Sequence, residues 1–137
     1  YQKNIMMRKE YLKKIIAQSF DDLKIISACC SGAKVRLSQI KFLKNNKIFL
    51  VYLKRLNREG ENTREEINSI IRFEYIDSSK SKNIDQNNPE LELELIAIDL
   101  FKKNHNFEII LLFSKNRIIT LNAEIIEVTL EDQKNFK

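Results

Sequence analysis

Tryptophan is absent from this 137-residue sequence, histidine and proline occur once each, glycine occurs twice, and the two cysteines are neighbours. Each shortage removes a class of chemistry. Gly32 and Gly60 are the only glycines, so neither G-x-G-x-x-G nor a Walker loop is present and no backbone cradle for phosphate is expected. His105 stands alone, which excludes H-E-x-x-H, and G-x-S-x-G is missing. A structural zinc site needs four soft ligands, more than Cys29, Cys30 and His105 supply. Adjacent cysteines rarely bridge each other, because disulfide geometry wants Cα atoms about 5.5–6 Å apart. A reducing compartment therefore fits the sequence best. The longest apolar runs, such as Leu95–Ala97 and Ile109–Phe113, fall far short of the roughly 20 residues a helix needs to cross a bilayer. Tyr1 to Arg8 hold no apolar stretch ending in a small-residue cleavage site, so an intact secretory signal is not expected there.

What is present describes one domain over residues 1–137, with residues 1–9 read as disordered. Hydrophobic residues make up 43% and charged residues 31%, with eight Phe and four Tyr. That composition is far from a disordered chain, and this length buries a core without disulfide or metal staples. The net charge of +5 is uneven: residues 1–68 carry 15 Lys/Arg against 7 Asp/Glu, and residues 69–137 carry 9 against 12. A basic half reads as a surface for an anionic partner or, more commonly, as lysines scattered over solvated faces.

Periodicity supplies the elements. Residues 11–17 read as a first strand. Ser19 before Phe20-Asp21-Asp22 is a hydroxyl N-cap followed by acids that oppose the positive end of a helix dipole. Phe20, Leu23, Ile26 and Cys30 then fall on one helical stripe, and Gly32 ends the helix. Beyond it the period becomes two. Val35 and Leu37 share one parity and Ile40 and Phe42 the other, which predicts a bulge. Residues 34–56 read as a hairpin around Lys44-Asn45-Asn46-Lys47, and residues 57–66 as a charged loop. Ile70 to Ile76 is a strand, and 77–89 an internal polar loop. Leu91, Leu93 and Leu95 alternate with Glu90, Glu92 and Glu94 before the parity flips at Ile96. Phe107 to Phe113 and Arg117 to Leu130 read as a hairpin with a third flip at Ile125-Ile126. The expected fold class is α+β: a mostly antiparallel, strongly curved sheet or small barrel-like roll with one N-terminal amphipathic helix.

No constellation reads as catalytic, cofactor-binding or metal-binding. His105 sits in a polar turn without an orienting partner by spacing. Asp21 and Asp22 are accounted for by capping, the row Glu90, Glu92 and Glu94 by a solvated strand face, and Cys29 and Cys30 lie at the helix end that raises no thiol reactivity. Lys13, Lys14, Lys54, Arg55 and Arg58 form a candidate surface for an anionic partner, near Tyr52. Single-stranded nucleic acid wants several exposed aromatics on one face, whereas most phenylalanines here alternate inward.

Several segments together resemble a known family. Phe20-Asp21-Asp22-Leu23-Lys24-Ile25-Ile26-Ser27-Ala28, Ile40-Lys41-Phe42-Leu43-Lys44, Phe49-Leu50-Val51 and Leu53-Lys54-Arg55-Leu56-Asn57 resemble the first half of a family catalogued as domain of unknown function 2948. Ser69-Ile70-Ile71-Arg72-Phe73, Lys80 to Asp85, Leu95-Ile96-Ala97-Ile98 and Ile118 to Asp132 follow in that family's order. The resemblance implies an alphaproteobacterial, cytosolic protein, with a mitochondrial matrix home as the organellar alternative, and brings no activity, cofactor or catalytic residue. The chain departs from the pattern by lacking tryptophan.

These readings favour a non-enzymatic binding or assembly domain with a protein partner or a second copy of itself, since Phe107, Ile109, Leu111 and Phe113 oppose Ile110 and Leu112 on one strand. The alternative is a nucleic-acid or ribosome accessory protein using the basic half. No cofactor and no membrane span is expected.

Overall fold

The computed structural model describes residues 13–56 and 65–134. Its elements are β1 (Lys14–Ala17), α1 (Phe20–Cys30), β2 (Ala33–Arg36), β3 (Ile40–Leu43), β4 (Ile48–Leu56), β5 (Glu66–Phe73), β6 (Ile76–Lys82), β7 (Glu92–Lys102), β8 (Phe107–Phe113), β9 (Arg117–Ala123) and β10 (Val128–Asp132). The expectations for residues 1–9, for Arg58 and for most of the 57–66 loop lie outside the described residues.

The helix starts as its sequence dictates. Ser19 Oγ accepts the Asp22 N–H at 3.2 Å and the Ser19 carbonyl accepts the Leu23 N–H at 3.0 Å, which satisfies donors that no helical carbonyl reaches. Ser19→Ala is expected to lower stability by about 1 kcal/mol, read from the midpoint of urea unfolding. Leu23, Ile26 and Cys30 are buried as their spacing requires. Phe20 corrects the expected stripe: it stands at the first turn of the helix and is 43% exposed. At the other end Gly32 takes φ 85°, open to glycine at no steric cost, and its N–H meets the Leu95 carbonyl at 2.7 Å.

Among the described residues ten antiparallel strands form one sheet in the order β1-β10-β5-β4-β2-β7-β8-β9-β6, with β3 also paired to β4. The sheet ends at β1 and β6 and is not closed. The core lies on its inner face, where Val35, Phe49, Val51, Ile71, Phe73, Leu93, Leu95, Ile109, Leu111, Leu121 and Leu130 are buried around the helix.

The three parity flips have three different causes. Between Val35 and Ile40 the chain makes a 3₁₀ turn, Leu37–Gln39, in place of a bulge. At Ile96 the register shifts by one between Leu95 and Ala97 against Phe113 and Leu112, a bulge as expected. At Ile125 the chain turns a corner. β9 stops at Ala123, and β10 leaves the expected hairpin to lie between β1 and β5. The partner ribbon turns there too: Phe73 pairs with Val128, Ile76 pairs with Ala123, Glu74 N–H meets Glu127 O at 3.0 Å, and Glu124 N–H meets Tyr75 O at 2.9 Å. Tyr75 turns the corner at φ 61°, a conformation uncommon for a bulky residue.

The polar loop predicted over 77–89 is also corrected in its first part, since Ile76–Lys82 is strand β6, paired with β9 on both sides of a bulge at Asp77. As an edge strand it needs only one hydrogen-bonded side and tolerates Ser and Lys, which guard an edge against intermolecular pairing. Lys47 pins the corner. Its Nζ lies 2.6 Å from Glu124 and 3.2 Å from Asp77, and hydrogen bonds to those two carboxylates hold its pKa above the ordinary lysine value.

Candidate functional site

Strand alternation decides where the basic side chains go. On β4, Phe49, Val51 and Leu53 point inward, and Arg55 shares their parity; it is 1% exposed. This corrects the reading of Arg55 as a surface cation. Its Nε and Nη2 reach the two carboxylate oxygens of Asp132 at 3.1 and 2.8 Å, a bidentate fork. Ser69 Oγ donates to Asp132 Oδ1 at 2.7 Å, and the Lys13 N–H donates to Oδ2 at 3.0 Å. Burial pushes the Asp132 pKa up. Hydrogen bonds from Arg55, Ser69 and the Lys13 amide, with the Arg55 charge, outweigh it and leave the carboxyl below its ordinary value. The cluster ties β4, β5 and β10 together with the backbone at Lys13.

Of the remaining predicted surface residues, Lys14 and Lys54 are exposed but stand apart, since β10 and β5 separate their strands. Lys54 joins Lys34, Arg36, Gln39, Glu66 and Glu92 around a shallow depression of about 200 Å³. The register explains its mixed charge: Lys34 lies between Lys54 and Glu94, Arg36 opposite Glu92, and Lys14 opposite Glu131. Antiparallel pairing has interleaved the basic half of the sequence with the acidic half.

The other feature is apolar. On the outer face of β7–β9, Leu112 lies between Ala97 and Ile118, and Ile110 between Asp99 and Thr120. Ile110, Leu112 and Ile118 are half-buried and Phe101 is 49% exposed, while the helix packs on the inner face, where Ser27 Oγ accepts the Ile98 N–H at 2.9 Å.

A family model described as "Protein of unknown function (DUF2948)" matches residues 13–136, which takes in the described strands, the helix, the buried ion pair and both surfaces. The chain belongs to the DUF2948 family. No curated protein matches it. Among solved structures it is similar to an uncharacterized protein from Neisseria gonorrhoeae, at 18% identity over 86% of this chain and 96% of that one, with a TM-score of 0.45.

In this DUF2948 chain His105 is exposed in the turn between β7 and β8, Cys30 is buried and Cys29 half-buried. Among the described residues no group of three His, Cys, Asp or Glu side chains is placed to hold a metal ion, and no helix is long and apolar enough to cross a membrane. The buried cluster escaped notice in the sequence although its signal was there. Arg55, Ser69 and Asp132 each share the parity of the apolar residues on their own strands, so alternation alone points all three inward.

Proposed function

We propose that this DUF2948 domain is a non-enzymatic binding module that engages a protein partner through the outer face of β7–β9. The observation that carries the reading is the contiguous row Ala97, Leu112 and Ile118, extended by Ile110, on the face of the sheet opposite α1. An antiparallel sheet with one solvated face normally alternates apolar and polar residues. β8 breaks that rule, with Ile109, Leu111 and Phe113 buried inside and Ile110 and Leu112 outside. A contiguous outer apolar patch is how a soluble domain presents a partner site.

Tagged protein captured from its own cells at low and moderate salt is expected to bring down a stoichiometric protein. Leu112→Glu, on the outer face, is expected to reduce that capture about tenfold or more while far-UV circular dichroism stays unchanged. A monodisperse protein without a partner at either salt, or capture indifferent to Leu112→Glu, sinks the reading.

A nucleic-acid role through Lys54, Lys34 and Arg36 has weaker support, because Glu66 and Glu92 line the same depression. Its signature is binding of RNA or DNA that falls steeply with salt. The rolled shape of the sheet belongs to this proposal as well. The corner at which β5 runs into β6 and β9 into β10 supports a curved course for the open sheet. A cytosolic location accords with adjacent cysteines that stay as thiols.

A further inference from the structure

The helix runs along the inner face of β7 but stops short of its end. Gly32 meets Leu95, Ser27 meets Ile98, and the helix begins at Phe20. The β7–β8 hairpin continues past that point, with Leu100 paired to Ile109 and Lys102 to Phe107. Beyond the bulge, Ile98, Leu100 and Lys102 have the parity of the core face, so the overhanging hairpin turns apolar surface toward an open end of the domain. Phe20 on one side and Ile126 from the β9–β10 corner on the other make it a groove of about 360 Å³, lined by Phe20, Leu100, Lys102, Phe107 and Ile126. That volume lies within the roughly 300–1,000 Å³ range of small-molecule sites, which are typically apolar with a few polar groups that fix orientation.

Among the described residues that line this groove the charged side chain is Lys102, while Asp21 follows Phe20 and Glu127 follows Ile126 in the chain. No acidic side chain is among those that line it. Lys102 lies at the rim, and Lys24 holds its Nζ 4.7 Å from the centre of the Phe20 ring. Four apolar walls with the Lys102 ammonium at the edge complement one kind of small molecule: an apolar body ending in an anionic group.

We propose that this groove binds an amphipathic carboxylate, an aliphatic or aromatic acid whose tail lies against Leu100, Phe107, Ile126 and Phe20 and whose carboxylate faces Lys102. The site is on the opposite face of β7 from the outer patch and does not depend on it.

The full chain is titrated with two fluorescent probes of nearly the same shape, 1-anilinonaphthalene-8-sulfonate, which is anionic, and N-phenyl-1-naphthylamine, which lacks the sulfonate, and each is then displaced with decanoate. The anionic probe is expected to bind saturably, to be released by decanoate and to bind more tightly than the neutral one. Lys102→Gln, an exposed change that leaves the fold intact, is expected to weaken the anionic probe about fivefold, the scale of one exposed ion pair, and to leave the neutral probe unchanged. Leu100→Asn is expected to weaken both. Absence of saturable binding, equal affinity for the two probes, or an anionic-probe affinity indifferent to Lys102→Gln would each overturn the proposal.

Discussion

Asp132→Ala is expected to destabilise the domain by about 3–5 kcal/mol, the cost of leaving a buried cation without its partner. Arg55 is 1% exposed, so its charge is held away from bulk water when the carboxylate is lost. In a chain of this length each kcal/mol moves the thermal midpoint by about 3–5 °C, so differential scanning calorimetry should record a fall of about 10–20 °C. Arg55→Met is expected to be similarly costly, for it strands the carboxylate. The double variant Arg55→Met/Asp132→Leu removes both charges and is expected to be more stable than either single variant, the sign of coupling between them. It is not expected to recover fully. Asp132 also accepts from Ser69 and from the Lys13 amide, and those donors lose their acceptor.

The same cluster sets an acid limit. The Asp132 carboxyl titrates below its unfolded value in the folded state, so its contribution is complete above the ordinary aspartate pKa and is lost as pH falls through the lower, folded one. In Asp132→Asn that part of the acid dependence should be missing, which chemical unfolding at a series of acidic pH values reads directly.

Phe73→Ala is expected to cost about 3–5 kcal/mol, the range for deleting a buried ring. Phe73 is fully buried at the end of β5, pairs with Phe49 and Val128, and sets its ring edge-on to Phe49 with centroids 6.2 Å apart. Phe49 in turn lies 5.9 Å from Phe42. The three rings join β3, β4 and β5. Phe101→Ala, on a side chain 49% exposed, is expected to stay within about 0.5 kcal/mol of the parent. Equal losses at the two positions, measured by urea unfolding, would mean that the aromatic cluster does not organise the core.

Local physics in the sequence foretold the helix from its cap to its glycine, the alternation of β4 and β7, and the flip at Ile96, because each depends on neighbours a few residues away. Where distant pairing decides, it did not. Ser78 to Lys82 is composed like a loop and becomes a strand because β9 offers an edge. Ile125-Ile126 looks like another bulge and is a corner because the ribbon opposite bends as well. The charge count along the chain promised a basic surface, yet β2 lies beside β7 and β1 beside β10, which sets glutamates among the lysines. The groove at Leu100 was invisible for a related reason. Nothing in the sequence tells where a helix ends relative to a hairpin that is paired some 70 residues later.

The placement of β10 has a consequence for the order of assembly. It lies between β1 and β5, so residues near 14 reach the sheet only through residues near 131. During synthesis β1 meets its sheet partner only after β10 has left the ribosome, and contacts so distant in sequence are slow to form. Ile15 and Ala17 of β1 must wait through translation for the strand that completes their shelter.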